Sequence, residues 1–477
     1  MKTVLVNPPM DFAVALGKAQ ALADYTVMIP VGLAYIAALL EREGLPVAVV
    51  DGYAEKLSIA QLTQRVLASG PEVVGISCVT PVAPIVHALA ASLKGENPGL
   101  KIVLGGPHPS CLAVETLADP NVDVVVRGEG EYAMLELLRS GFKAPQLANI
   151  RGISWRGPQG LVHNPDRGFI ADLDSLPFPA YHLLPMRRYT APPQWSLASP
   201  AYQVSASRGC PFSCGFCAVG LGRQMRLRGP ASICDEIELL IRDYGCRQVV
   251  FVDSTFPINP EHADRICDEI IRRGLHKKVV WFTSTRANLV TPGMLRKMRQ
   301  SGCGLMTFGV ESGEQRLLDG MEKGFTLEQV RRGVAMARAA GIEILASYIL
   351  GLPGETYETG LKTIKFAKEL DTLYAQFNLL VPYPATAVYD YAISRGLLKS
   401  RDWSRYISIT SMTEIEAPFI PEGMTQEQLM SLQKRAYREF YFRPKMVLRH
   451  LRRMLSNWDS RKYYQLAKVL LQTCRGA

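Results

Sequence analysis

Gln203-Val-Ser-Ala-Ser-Arg208-Gly-Cys210-Pro-Phe-Ser-Cys214-Gly-Phe-Cys217 runs a short apolar strand straight into a loop with two glycines and three thiols. Thiolates are soft ligands that suit zinc or iron–sulfur clusters. Structural zinc takes four ligands, and this loop offers only three. Cys234 lies too far along for a tight knuckle, and the next histidine is His262. A cubane cluster held by three cysteines keeps one iron open to a small molecule, so the triad reads as an iron–sulfur site. The other cysteines, Cys78, Cys111, Cys234, Cys246, Cys267, Cys303 and Cys474, are scattered and read as small buried hydrophobes. Ten cysteines in 477 residues make no disulfide framework.

Downstream of the triad, strand-like runs alternate with helical patterns. RQVVFVD (247–253), VVWFTST (279–285), LMTFGVES (305–312), IEILASYILGLPG (342–354) and AQFNLLVPYP (375–384) read as strands. Helical stretches fall at 233–244, 260–273, 291–301, 326–340 and 357–370. With the strand before the triad this makes about six β/α units over 201–400, a partial or full barrel whose site lies at the carboxyl ends of its strands.

Upstream, residues 1–145 repeat another α/β rhythm. KTVLV (2–6), VAVVD (47–51), VVGIS (73–77), KIVLGG (101–106) and VDVVVRG (122–128) are continuous apolar runs, as in a parallel sheet buried on both faces. The helical stretches between them predict a doubly wound sheet of about five strands. Ligands of such sheets bind beyond the carboxyl ends of the strands. The loops there are NPP, SCVTP, GGPHPS and RGEGE, which makes Asn7, Pro8, Ser77, Thr80, Gly105, Gly106 and Glu129 the candidate cofactor residues. Residues 146–200 are broken by prolines and read as a linker that carries a hairpin. From 401 to 477 the chain turns helical, aromatic and basic.

The chain is 48% hydrophobic and 21% charged, which excludes a disordered chain, a collagen-like repeat and a small disulfide scaffold. Its net charge of +10 is local, with 12 basic and 2 acidic residues between Lys434 and Ala477. The rest balances, so specific nucleic-acid binding is not expected. The start MKTVLVNPP reads as a strand and not a secretory signal, and the apolar run 27–40 contains Pro30 and falls short of about 20 spanning residues. The sequence points to the cytoplasm.

Three cysteines on the first loop of a barrel resemble the radical S-adenosylmethionine (SAM) superfamily. The preceding sheet resembles the cobalamin-binding domain of its cobalamin-dependent branch, which includes hopanoid methylases and anaerobic magnesium-protoporphyrin ester cyclases. The resemblance implies three cofactors: a [4Fe-4S] cluster on Cys210, Cys214 and Cys217, SAM on its open iron, and cobalamin. Phe308-Gly309-Val-Glu311-Ser312 is similar to the branch's grip on the SAM ribose, and Leu350-Gly351-Leu-Pro353-Gly354-Glu355-Thr356 to the turn lining adenine. Arg286 would meet the methionyl carboxylate. Where the branch often carries paired acids, Phe251-Val-Asp253-Ser254 leaves Asp253 for the SAM ammonium, and Pro384-Ala385-Thr386 stands in place of Pro-Gly-Thr. The first strand is followed by NPPMDFAVALG, with no histidine before His87, so the lower cobalt face takes no imidazole from that loop. His108 reads as a loop histidine bonded to backbone or to the cofactor's side chains.

The implied activity is reductive cleavage of SAM to an adenosyl radical and methylation of an unactivated carbon of a small-molecule or lipid substrate. An external one-electron reductant, flavodoxin or ferredoxin, would serve it. One alternative is cyclisation, rearrangement or oxygen insertion without methyl transfer; another is a non-catalytic cobalamin sensor. Transfer-RNA methylthiolation is disfavoured, because only Cys78 and Cys111 precede the triad. Substrate would sit between Pro8–Met10 of the first loop and Asn378, Pro382 and Tyr383, with Tyr437 and Tyr441 either packing the cap or closing the gap. The tail LQKRAYREFYFRPKMVLRHLRRML (432–455) reads as an amphipathic cap, with peripheral contact to anionic membrane headgroups as its second reading.

Overall fold

A computed structural model describes residues 1–10, 27–218, 220–407 and 417–456. Its first five strands, β1 (Thr3–Asn7), β2 (Val47–Asp51), β3 (Val73–Ser77), β4 (Lys101–Gly105) and β5 (Val124–Val126), are parallel, in the order β2-β1-β3-β4-β5. Val4 and Val6 enter the core on one face, and Leu5 between them enters the core on the other. Burial on both faces is why these strands read as unbroken apolar runs.

The hairpin β6 (Ile153–Gly157) and β7 (Gly160–His163) adds antiparallel to the free edge of β5, making a seven-stranded sheet. Residues 153–163, assigned to the linker on sequence, therefore belong to the first sheet. Ile153 and Trp155 are buried with Val124 and Val126. Asn164 locks the hairpin by donating to the carbonyls of Leu147 and Ile150, each at 2.6 Å. The prolines at 177–200 hid this pairing, because they mark only the later half of the segment.

The second unit opens with β8 (Ala201–Val204), followed by a two-stranded ribbon of β9 (Ser207–Arg208) and β10 (Arg226–Leu227). Strands β11 (Gln248–Phe251), β12 (Val280–Thr285), β13 (Cys303–Glu311), β14 (Glu343–Leu350) and β15 (Tyr374–Leu379) complete a parallel sheet in the order β15-β14-β13-β12-β11-β8. β8 and β15 do not pair with each other, so the barrel is partial. Its amino-terminal end is filled by the linker, where Trp195 stacks on Phe282 at 5.0 Å and packs with Val250, Leu305 and Leu345.

The open edge of β15 is covered by the helix Gln426–Tyr441. Gln433 Nε2 donates to the Phe377 carbonyl at 2.6 Å, and the Tyr437 hydroxyl accepts from Phe377 N at 3.2 Å. The Tyr441 hydroxyl accepts from Ala375 N at 3.0 Å and donates to Ala375 O at 2.8 Å. Residues four apart share a helix face, so three side chains imitate a neighbouring strand and satisfy backbone that would otherwise stand unpaired. Tyr437 and Tyr441 are engaged at this edge, in line with packing the cap and not with closing the substrate gap. The two units also share a core, in which Val381, Tyr389, Trp403 and Tyr406 pack with Ile76, Cys78 and Val82.

Candidate functional site

The cysteine loop springs from the β9–β10 ribbon, where Arg208 stands directly opposite Arg226. Gly209 is required at this neck: its φ is +94°, and a Cβ would lie 2.2 Å from the Gln224 carbonyl oxygen. Like charges opposed across a ribbon repel, and here one carboxylate holds both. Glu129 accepts from Arg208 at 2.8 Å and from Arg226 at 2.7 Å, while Glu131 takes the other arm of Arg208 at 2.7 Å. Burial alone would raise the Glu129 pKa, but the bonds from Arg226 and Arg208 hold it below the usual carboxylate range. Glu129, a candidate cofactor residue, thus anchors the loop.

Asp253, two residues beyond β11, accepts from Ala206 N at 3.1 Å and from the Ser207 hydroxyl. Burial pushes its carboxyl up to about 6. Both oxygens bind the turn between β8 and β9, so this side chain positions the loop; the SAM ammonium contact read from sequence would have to compete with those bonds.

Within the loop, Cys210 and Cys214 are buried and Cys217 lies at the surface. Arg286, just past β12, donates to Cys214 Sγ at 3.5 Å and stacks on Phe212 at 3.8 Å, and its other arm bonds the Lys323 carbonyl. Cys210 Sγ lies 3.7 Å from the Thr255 hydroxyl. Gly215 between the thiols donates to Met321 O at 3.0 Å and accepts from Val388 N at 3.1 Å. Partial burial pushes the Cys217 thiol up to about 11, and the charges of Cys214 and Cys210 add to the shift. Three thiolates this close need a cationic centre to be ionised together, which fits an iron cluster. Among the described residues, no three His, Cys, Asp or Glu side chains converge as a single ion would require. A single ion draws its ligands to about 2.3 Å, whereas a cubane gives each thiol its own iron.

Glu311 ends β13 in the left-handed region at φ +67°, which residues other than glycine rarely adopt. Its carboxylate is buried and ion-paired with Lys323 at 2.8 Å. Lys323 Nζ also lies 5.5 Å from the Phe216 ring centroid, so the pair abuts the cysteine loop. Gly309 makes room for it, since a Cβ there would come 2.5 Å from Glu311 Oε1. In the turn after β14, which carries Gly351, Pro353 and Gly354, Glu355 accepts from Gly351 N at 2.5 Å and Leu352 N at 3.0 Å. Burial pushes the Glu355 carboxyl up to about 7. Lys323, in MEKGF, belongs to no motif that the sequence singles out. Its partner lies 12 residues away and meets it only in the folded barrel.

A cavity of about 360 Å³ lies where the two sheets face each other. Ser77, Gly105, Gly106 and Glu129 line it from the first sheet's carboxyl ends, above an apolar wall that includes Leu5 and Val103. Ser205, Arg208, Gly220 and Val252 line it from the barrel side. Gly32 and Gly128 border it, and a Cβ on either would touch nothing within 4 Å. An apolar wall under a rim of small residues lets a broad ligand approach the backbone, which fits cobalamin. Asn7, Pro8 and Thr80 do not line it: Asn7 bonds Asp51 at 2.9 Å, and Thr80 is buried in a turn. Residues 11–26 of the first loop lie outside the described residues. Among the described lining residues there is no histidine. His87 pairs with Asp119 at 2.6 Å, and burial pushes His108, packed under Trp403, down to about 4.

Comparison with known proteins agrees with this division. Residues 18–138 match the B12 binding domain and residues 204–367 the Radical SAM superfamily. The chain is 34% identical over 456 residues to an uncharacterised methyltransferase of Pyrococcus horikoshii, covering 94% of this chain and 95% of the other. It is 28% identical to the anaerobic magnesium-protoporphyrin IX monomethyl ester cyclase of Rubrivivax gelatinosus, over 92% of this chain and 81% of that enzyme. The radical SAM methyltransferase TsrM of Kitasatospora setae, solved with cobalamin and a [4Fe-4S] cluster, shares the fold at a TM-score of 0.73 and 17% identity, covering 100% of both chains. The chain therefore belongs to the cobalamin-dependent radical SAM enzymes, a family of methyltransferases and cyclases that work with cobalamin, a [4Fe-4S] cluster and SAM.

Proposed function

We propose that the protein methylates an unactivated carbon of a small-molecule or lipid substrate at the cavity between the two sheets. One observation carries this reading: the same cavity is walled by the cobalamin-domain strand ends and by the cysteine loop. When bound, cobalamin supplies a transferable methyl group, and the cluster with SAM supplies a radical able to take hydrogen from an unactivated carbon.

The chain's own residues hold and orient these groups. Cys210, Cys214 and Cys217 ligate the cluster, with the Arg286 guanidinium on the Cys214 sulfur. Glu311 and Lys323 offer an anion and a cation side by side, suited to the ribose hydroxyls and the carboxylate of SAM. Gly309, Gly351, Pro353 and Gly354 bring backbone close to it. Ser77, Gly105 and Gly106 border cobalamin. A flavodoxin or ferredoxin supplies the electron, and the reduced thiols that the loop needs support a cytoplasmic location. No helix among the described residues is long and apolar enough to cross a membrane. The helix Pro444–Ser456 exposes Val447, Leu448 and Leu451 beside Lys445 and Arg452, which supports peripheral contact with an anionic membrane surface.

The test uses extract from a strain lacking the gene, holoprotein, reductant and SAM with a deuterated methyl group. A new product heavier by one labelled methyl is expected. The likeness to the magnesium-protoporphyrin cyclase favours a second reading, ring closure, which gives a product without added label.

A further inference from the structure

The carboxylate that neutralises the neck of the cysteine loop belongs to the other domain. Glu129 and Glu131 sit at the start of the helix Glu131–Ser140, in the loop that follows β5 of the first sheet. Arg208 and Arg226, which they hold, are 8% and 4% exposed. Without Glu129, two buried guanidinium groups would face each other across the ribbon with one acid between them. A buried charge that loses its partner is strongly destabilising, so the closed neck depends on the first domain.

The same side chains are part of the cavity wall. Glu129, Glu131, Arg208 and Tyr35 all line it, with the Arg208 guanidinium 5.0 Å from the Tyr35 ring centroid. The loop lines it too, through Gly220 and Leu221, and Arg226 donates to the Leu221 carbonyl at 2.9 Å. A ligand filling the cavity therefore touches both the acids that grip the neck and the loop that carries the thiols.

We infer that Glu129, Arg208 and Arg226 are positioning residues that make the two cofactor sites interdependent, so that an assembled cluster tightens cobalamin binding and bound cobalamin steadies the cluster loop. By thermodynamic linkage, whatever factor one ligand gains from the other is returned in full. The inference rests on the family's cofactors and not on which reaction they serve.

The test is hydroxocobalamin binding, measured anaerobically by equilibrium dialysis, on protein with a reconstituted cluster and on the same protein stripped of iron. Wild type should bind at least about 5-fold more tightly with the cluster present, the lower end of common coupling factors. In Glu129→Gln the ratio should fall to about one. Because that variant leaves an uncompensated arginine, the double variant Glu129→Gln/Arg226→Gln restores neutrality, keeps the Glu131–Arg208 pair, and should fold by circular dichroism while also giving a ratio of about one. A wild-type ratio of one, or a folded double variant that keeps the wild-type ratio, would overturn the inference.

Discussion

Lys323 and Glu311 form a buried ion pair beside the cysteine loop, and removing one partner of such a pair leaves a buried charge uncompensated. Lys323→Met should lower stability by about 3 kcal/mol in denaturant unfolding and weaken SAM binding by at least about tenfold, a 1.4 kcal/mol effect. Wild-type SAM affinity in that variant would remove Lys323 from the site. Glu355 makes a pH-dependent contribution. Its carboxyl is raised to about 7 by burial, so the folded state favours the protonated form. That stability is complete below the unfolded pKa of about 4.3 and is lost as pH rises through about 7. The thermal midpoint of wild type should fall across this window, while Glu355→Gln stays flat by comparison; parallel profiles would refute the assignment. The absence of histidine from the described cavity wall predicts cobalamin without imidazole coordination. Electron paramagnetic resonance of the Co(II) protein, prepared with 14N- and with 15N-histidine, should show no splitting that changes with the label, and a label-dependent splitting would contradict it. Residue-level reading from sequence reaches furthest where the chemistry is contiguous, as in the loop that carries Cys210, Cys214 and Cys217. It missed Lys323 and the double grip of Glu129 because those partners meet only through tertiary packing.

At the scale of elements, hydrophobic runs and loop residues made both α/β units legible, because buried parallel strands need unbroken apolar stretches. Two pairings were not legible, and both are edge events. The hairpin β6–β7 joins β5, and the helix Gln426–Tyr441 covers β15, yet neither is signalled by periodicity within its own segment. Periodicity reports which face is buried and not which strand end lacks a neighbour. The edge account makes a prediction for both tyrosines. Tyr441→Phe removes a hydroxyl that accepts from Ala375 N and donates to Ala375 O, and Tyr437→Phe removes one that accepts from Phe377 N. Urea unfolding should show a loss of about 1–3 kcal/mol for each variant. Equal stability of both variants with wild type would mean the hydroxyls do not close the edge. Removing the chain from Met424 onward exposes β15 entirely, so the truncated protein should associate through that edge and scatter light.

At the scale of the molecule, the parallel strands of two sheets face each other with their carboxyl ends turned to one cavity, and a shared core with the Glu129 network holds them there. The central claim is that one polypeptide brings a methyl carrier and a radical generator to the same space. The most direct measurement needs no knowledge of substrate: anaerobic holoprotein, cobalamin, a low-potential reductant and SAM with a deuterated methyl group, with all small molecules identified by mass spectrometry. The account predicts trideuteromethyl-cobalamin with S-adenosylhomocysteine, and 5′-deoxyadenosine with methionine, with 5′-deoxyadenosine lost when Cys210, Cys214 and Cys217 are replaced by alanine. Formation of 5′-deoxyadenosine with cobalamin left unmethylated, or of neither product by protein with full cofactor content, would contradict it.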